Sequence, residues 1–136
     1  MKNKILTVTL LVCFSFVCLS LTTKYQSVQE DNWEVPKEFQ SLKNPYSNAK
    51  DTDEMGKMLY LKHCKMCHGD IGKGDGKMAN LLDIEVGNFT TEAFKAQTDG
   101  AIYYKFLNGR NEMPSFKKKI IDKQQQWLLV NYLKTL

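Results

Sequence analysis

The chain has 136 residues, which is enough for one small domain with an extension. Its formal net charge of +4 includes two lysines close to the N-terminus, so the charge balance does not indicate a nucleic-acid-binding protein. The residues that indicate chemistry form a single cluster near the middle of the chain, which fits one functional site.

The first 21 residues form a distinct segment. Lys2 and Lys4 precede an uncharged apolar run over residues 5–21, which is typical of a secretory signal peptide ending near Ser20. The run is close to the shortest length that spans a bilayer, so an uncleaved membrane anchor is the alternative. Lipidation of Cys13 or Cys18 is disfavoured, because a valine precedes each of them where a small residue is expected. The segment therefore predicts export to the periplasm, as a free or a membrane-anchored protein.

Residues 22–50 are predicted to be an extended lead-in to a folded domain over residues 51–136. The segment is polar, lacks helical periodicity and contains Pro36 and Pro45, which interrupt regular structure. Apolar residues nevertheless recur in it (Trp33, Val35, Phe39, Leu42 and Tyr46). Because a bare tether does not need them, we expect part of the lead-in to pack along the domain surface.

A helix is predicted over Thr52–His63. Asp51 and Glu54, three positions apart, form a capping-box pattern at its start. Gly56 and Tyr60 lie on one stripe of this helix because they are four positions apart. A glycine is costly inside a helix, so we expect another backbone to approach closely at Gly56.

The helix leads into Cys64-Lys65-Met66-Cys67-His68, a C-x-x-C-H motif typical of covalent haem attachment. Two thiols on one turn can each add to a vinyl group of one porphyrin, and His68 then faces the iron as its proximal ligand. A redox dithiol or half of a zinc site would use the same cysteines. Zinc lacks ligands unless two chains share it, since the other two cysteines lie in the N-terminal apolar run. A thioredoxin-like dithiol would lie beside a βαβ pattern, which the flanking sequence does not show.

Four glycines follow the motif, at Gly69, Gly72, Gly74 and Gly76. No predicted strand precedes them and no Lys-Ser/Thr pair follows, which argues against a phosphate loop. Two aspartates are too few for a convincing calcium loop. We expect the glycines to let the backbone turn tightly and lie flat against a bulky planar ligand, with a short helical turn over residues 78–82.

Two further helices are predicted before a loop. The first covers residues 88–96. The second is capped by Thr98 or Asp99 and closed by Asn108-Gly109. It carries an apolar stripe at helical spacing (Ile102, Tyr103, Phe106 and Leu107). Residues 110–116 then form a loop held by Pro114.

The last predicted helix begins at Asp122, with Gln125 three positions on, and continues to Leu136. It carries a broad apolar face (Trp127, Leu128, Leu129, Val130, Tyr132 and Leu133). No stretch shows convincing strand alternation. The sequence therefore predicts an all-α fold.

This order of features resembles the class I monohaem c-type cytochromes, bacterial and exported, over roughly residues 51–136. The resemblance implies a small cytochrome c fold, in which the N- and C-terminal helices cross and further short helices surround one covalently bound haem. It also implies that Gly56 and Tyr60 on the first helix pack against Leu129 and Tyr132 on the last. Cys64 and Cys67 would then form the haem thioethers.

Met113, followed by Pro114, is the expected distal iron ligand. It lies far enough after His68 for the intervening chain to reach the other haem face, and the proline stiffens the chain that presents its sulfur. His63, directly before Cys64, cannot easily cross to that side. The remaining internal methionines lie before, within or soon after the motif (Met55, Met58, Met66 and Met78).

The expected function is one-electron transfer by a periplasmic carrier without catalysis of its own. We expect a monomeric domain with redox partner proteins, a dehydrogenase or reductase as donor and an oxidase or reductase as acceptor. Lysines that could surround an exposed haem edge would steer an acidic partner (Lys62, Lys65, Lys73, Lys77, Lys105, Lys117, Lys118 and Lys119). Two alternatives stay open. One is a fixed subunit of a larger oxidoreductase, with residues 33–46 at its interface; the other is a haem sensor or peroxidase with a displaceable Met113, for which Arg110 and Asn111 are the only polar hint.

Overall fold

The computed structural model describes residues 33–49 and 52–136, apart from the side chains of Thr52 and Asp53. The predicted signal peptide or anchor and the predicted cap Asp51 lie outside the described residues. The described residues belong to one compact unit, Trp33–Leu136. Within them, no helix is long and apolar enough to cross a membrane.

Six α-helices and one 3-10 helix account for the regular structure of the described residues, and the predicted all-α fold is confirmed. The only β-type pairing there is an isolated bridge between Arg110 and Met113. In chain order the helices are α1 Lys37–Gln40, α2 Thr52–His63, α3 Lys65–His68, the 3-10 helix Ala79–Leu81, α4 Glu92–Lys95, α5 Asp99–Asn108 and α6 Lys123–Leu133.

Helices α2 and α6 pack directly against each other at Gly56. A Cβ atom at this position would lie 2.4 Å from the carbonyl oxygen of Leu128 and 2.7 Å from Cβ of Tyr132, so the contact requires glycine. One turn along α2, Tyr60 is completely buried, and its ring centroid lies 5.5 Å from that of Tyr132. Leu129 is buried in the same core. The packing of α2 on α6 thereby fixes the place where the C-x-x-C-H motif begins.

Helix α5 forms a second wall of the core. Its cap is Thr98, whose hydroxyl accepts the backbone N–H of Ala101 at 3.2 Å. Tyr103 stacks on Trp127 of α6 with 4.0 Å between ring centroids, and its hydroxyl donates to Oε1 of Gln126 at 2.6 Å. The whole predicted stripe of this helix is buried (Ile102, Tyr103, Phe106 and Leu107). Stacked rings and a buried hydrogen bond therefore join α5 to α6.

Residues 33–49, here called the arm, contact the helices of the domain. Phe39 packs on Tyr104 of α5 with 4.9 Å between ring centroids. The Nδ2 group of Asn44 donates to Oδ1 of Asn131 on α6 at 2.6 Å. The expectation of an extended chain is wrong over α1, because a single helical turn is too short to show a periodic pattern.

The helix predicted over residues 88–96 is reduced to the single turn of α4. Oδ1 of Asn88 accepts both the backbone N–H and the hydroxyl of Thr90, at 2.9 and 2.8 Å. These side-chain hydrogen bonds hold the residues before α4 in a turn, because asparagine competes with the helix for backbone donors. Thr91 then caps α4.

The last helix ends at Leu133 and not at Leu136. The backbone N–H of Lys134 is shared between the carbonyl oxygens of Val130 and Asn131, both at 3.2 Å, and that of Thr135 donates to Tyr132 at 2.9 Å. This tightening to three-residue spacing is how helices commonly end. At the other end, Asp122 accepts from Gln125 as predicted.

Candidate functional site

The C-x-x-C-H motif continues the backbone hydrogen bonding of α2 into α3. The N–H of Cys64 donates to Tyr60 at 2.8 Å, and the N–H groups of Cys67 and His68 both donate to the carbonyl oxygen of Cys64, at 3.1 and 2.9 Å. Both thiols are free and partly buried. The two cysteines and the histidine thus lie on consecutive turns of nearly continuous helix.

The Cys64 thiol has little thiolate character. Burial, and to a smaller degree the neighbouring Cys67, raises the pKa of Cys64 to about 12. A redox-active dithiol needs a thiolate with a depressed pKa as its nucleophile. The environment of Cys64 therefore argues against the redox dithiol that the motif alone leaves open.

His68 is buried and held by its Nδ1 atom, which lies 3.0 Å from the carbonyl oxygen of Gly87. Burial lowers the pKa of His68, so the imidazole is neutral at neutral pH. Because a carbonyl oxygen only accepts, Nδ1 carries the hydrogen and the lone pair is on Nε2. The ring also stacks on Phe89, with 4.2 Å between centroids. Such a hydrogen bond to the second ring nitrogen is typical of a metal-ligating histidine.

The glycine-rich loop folds back onto the backbone of the motif. The N–H of Gly76 donates to the carbonyl oxygen of Cys67 at 3.0 Å, and that of Gly74 donates to His68 at 2.9 Å. A Cβ atom on Gly76 would lie 2.3 Å from the carbonyl oxygen of Met66, so a side chain would separate the loop from the motif. Gly76 therefore allows the loop to approach the attachment turn closely.

Met113 closes a tight turn directly after α5. The backbone N–H groups of Arg110 and Met113 each donate to the other's carbonyl oxygen, at 3.0 and 2.9 Å, and Asn111 between them has a positive φ of 52°. Beyond the turn, the hydroxyl of Ser115 donates to the carbonyl oxygen of Leu107 at 2.6 Å. The Met113 side chain is partly buried against the apolar core. Its turn is thus fixed to the C-terminal end of α5.

A hydrogen bond joins the Met113 turn to the segment that holds His68. The backbone N–H of Asp83 donates to Oε2 of Glu112 at 2.8 Å. Four residues later in the same segment, Gly87 accepts from His68. The Phe89 ring that stacks on His68 belongs to the apolar core against which Met113 packs. The structure therefore places both predicted ligands at the border of one apolar interior.

The other candidate ligands are placed differently. Met58 and Met66 are more than half exposed, and Met78 is exposed as well. Met55 packs against the core from α2. His63 is the last residue of α2 and contacts the Phe116 ring edge-on, with 6.0 Å between centroids.

Residues 54–136 match the family model for cytochrome c. The chain belongs to the cytochrome c family. A search of the curated proteins found no match. Membership of this family means a covalently bound haem c with its iron, and electron transfer through that haem.

The residues of this cytochrome c fit that group. Its two free thiols are three positions apart on helix, and the neutral imidazole beside them keeps its Nε2 lone pair. The partly buried thioether of Met113 is a soft donor of the kind that c-type haem iron accepts. Among the described residues, no cluster of three or more His, Cys, Asp or Glu side chains could hold a separate metal ion.

Sequence reasoning did not identify three residues that support the site. Gly87 acts through its backbone carbonyl, which no side-chain pattern can indicate. Glu112 accepts a hydrogen bond from Asp83, and Trp33 contacts Arg110. In each pair the two residues are far apart in the sequence. The two prolines and the polar composition of the lead-in gave no signal that Trp33 reaches the Met113 turn.

Proposed function

We propose that this cytochrome c is an exported, periplasmic one-electron carrier with His68 and Met113 as the axial ligands of its haem iron. The observation that carries the proposal is the Nδ1 hydrogen bond from His68 to Gly87, which leaves a neutral imidazole with its lone pair on Nε2. Cys64 and Cys67 are the residues that would form the thioether links.

When bound, the haem supplies an iron that alternates between the ferric and ferrous states. The task of the chain is to hold both ligands in the same place in both states. Phe89 and Gly87 fix the ring of His68, and the paired backbone hydrogen bonds of residues 110–113 fix the turn of Met113. A thioether in place of a second nitrogen donor, in an apolar pocket, favours the ferrous state and raises the reduction potential.

Two features favour a carrier over a ligand-binding sensor or peroxidase. If His68 and Met113 both held the iron, no coordination position would be left for an added ligand. Of the two polar residues that hinted at distal chemistry, Asn111 is exposed on the turn, and the Arg110 guanidinium lies over the ring of Trp33 at 4.5 Å. Neither is arranged as a buried distal acid or base.

The arm favours a self-contained carrier over a fixed subunit of a larger oxidoreductase. Its aromatic residues contact their own domain: Phe39 packs on Tyr104, Trp33 lies at Arg110, and Tyr46 packs against the core. These three side chains therefore pack within their own domain and do not form an apolar surface for a catalytic chain.

Exposed lysines support an acidic redox partner. Lys117, Lys118 and Lys119 are consecutive and exposed directly after the Met113 turn. Lys65 is paired with Asp70, which reduces its value for steering. An acidic donor or acceptor would be attracted to this run of three lysines, and its electron-transfer rate would fall as ionic strength rises.

The ligand assignment is tested by redox titration of Met113→Ala and of the control Met78→Ala. We expect Met113→Ala to lower the reduction potential and to open the iron to added ligands, because the thioether is lost. Met78 is exposed and lies directly before the 3-10 helix that follows the glycine-rich loop, so its variant should keep the parent potential. An unchanged potential in Met113→Ala would contradict the assignment.

A further inference from the structure

The arm follows α5 from one end to the other. At the N-terminal end of α5, a Cβ atom on Gly100 would lie 1.9 Å from the carbonyl oxygen of Phe39, so arm and helix are in backbone contact there. One turn later the Phe39 ring packs on Tyr104. At the C-terminal end, the centroid of the Trp33 ring lies 5.6 Å from Nζ of Lys105 and 4.5 Å from Cζ of Arg110. Between Phe39 and Trp33 the arm therefore runs antiparallel to α5, and Trp33 lies beside the Met113 turn.

The other end of the arm is fastened to α6. Asn44 is buried and donates from Nδ2 to Oδ1 of Asn131 at 2.6 Å, while Nδ2 of Asn131 donates to the carbonyl oxygen of Tyr46 at 2.8 Å. Oδ1 of Asn44 accepts the backbone N–H of Tyr46 at 2.8 Å. This reciprocal pairing satisfies both side-chain amides, which makes it a fixed attachment point.

Trp33 contacts Arg110, the first residue of the Met113 turn. The Arg110 guanidinium carbon lies 4.5 Å above the Trp33 ring, within the range of a cation–π contact. The same Arg110 forms both backbone hydrogen bonds that close the turn onto Met113. The contact with the tryptophan is therefore one restraint on the residue whose backbone closes the turn that presents the methionine sulfur.

We propose that the arm is a strap over α5 and that Trp33 is a positioning residue for Met113. It acts through Arg110 and limits the displacement of the methionine by external ligands. The proposal rests on the proposed function, since it assumes that Met113 binds the iron. It assigns to the lead-in a role in the haem site itself, beyond that of a spacer between leader and domain.

The test is imidazole binding to the ferric haem-loaded protein, since imidazole competes with the methionine for the distal position. We expect Trp33→Ala to increase the apparent imidazole affinity about two- to fivefold, the factor that loss of an exposed cation–π contact gives. Trp33→Phe, which keeps a ring with a weaker charge on its face, should give a smaller increase. Glu34→Ala alters the exposed neighbouring residue and should bind imidazole as the parent does.

A stability control separates positioning from general loosening. Asp122→Ala removes the cap of α6, which destabilises the fold at a different element from the Met113 turn. Under the proposal, this variant unfolds more easily and still binds imidazole with the parent affinity. Equal increases in Asp122→Ala and Trp33→Ala would overturn the proposal, and so would parent-like binding by Trp33→Ala.

Failure of the ligand assignment gives a different result. Met113→Ala should bind imidazole far more tightly than any arm variant, because no sulfur competes. If Met113→Ala binds imidazole as the parent does, the assumed ligand is wrong and the positioning role falls with it. If Met113→Ala responds and Trp33→Ala does not, the ligand stands and the strap alone is rejected.

Discussion

At Gly56 the backbones of α2 and α6 approach so closely that a methyl group has no room. Alanine is the better helix former by about 1 kcal/mol, but its Cβ would lie 2.4 Å from a backbone oxygen that cannot rotate away. Overpacking of this kind costs about 1–3 kcal/mol, which is at least as large as the gain in helix propensity. We therefore expect Gly56→Ala to lower the free energy of unfolding by up to about 2 kcal/mol in urea denaturation.

Gly87→Ala is the matched control for that measurement. A Cβ atom at Gly87 would meet nothing within 4 Å. The substitution should leave the unfolding free energy within about 0.5 kcal/mol of the parent value. Equal losses at both glycines would show that helix packing is not what Gly56 provides.

His63 gives the stability a pH dependence. Burial against Phe116, together with Lys62 and Lys119, lowers its pKa below the unfolded value of 6.5. The unfolded chain therefore binds the proton first, and the stabilisation present above pH 6.5 is lost as pH falls through the folded pKa. His63→Asn should remove this contribution, so the stability difference between parent and variant should shrink on acidification.

Urea midpoints of parent and His63→Asn at a series of pH values measure that difference. His68 is present in both proteins and cancels in the comparison. A difference that stays constant with pH would contradict the role given to His63. Because His63 is only partly buried, we expect a small effect.

At the scale of the element, the cap of α6 is the clearest local signal. Oδ1 of Asp122 accepts the backbone N–H of Gln125 at 2.8 Å. Loss of such a cap costs about 0.5–2 kcal/mol, so we expect Asp122→Ala to lower the unfolding free energy by about 1 kcal/mol. Asp122→Asn keeps an oxygen acceptor and should lose much less; equal losses in the two variants would argue against a capping role.

Caps also explain which elements the sequence could predict. Helix α5 was predicted from Thr98 and from the closing Gly109, and the structure has it between those residues. The helix predicted over 88–96 covers only Glu92–Lys95, because Asn88 uses its side chain to form a turn before it. Helix α1 has one turn and no buried residue, so it leaves no periodic trace in the sequence.

The candidate site likewise contains residues that the sequence could predict and residues that it could not. Cys64, Cys67 and His68 are neighbours in the chain, and their spacing alone indicated their chemistry. The Gly87 carbonyl that orients His68 has no side-chain signal, and the contact between Trp33 and Arg110 exists only once the arm lies along α5. The spacing of the motif therefore predicted the family, whereas the contacts made by Gly87 and Trp33 had no signal in the sequence.

At the scale of the whole molecule, the haem is expected to be part of the core. A domain of this size buries a small apolar interior, and Cys64 and Met113 border that interior. We expect the double variant Cys64→Ala, Cys67→Ala to lack covalent haem and to lose most of its helical circular dichroism. Met66→Ala, an exposed position between the two cysteines, should keep both.

A native-like helical spectrum from the haem-free double variant would contradict that expectation. It would mean that the contacts of α2, α5 and α6 suffice for folding. The haem would then bind to a domain that folds without it, with a core that includes the contacts at Gly56 and the Tyr103–Trp127 stack.

The most direct test of the central claim is the optical spectrum of the full chain from a haem-attaching host, oxidised and reduced, with and without carbon monoxide. We predict covalent haem with a low-spin, methionine-ligated spectrum that carbon monoxide does not change, because the proposed ligands His68 and Met113 would leave the iron no free coordination position. Ready binding of carbon monoxide to the reduced parent protein would contradict a closed electron-carrier site and favour a ligand-binding role.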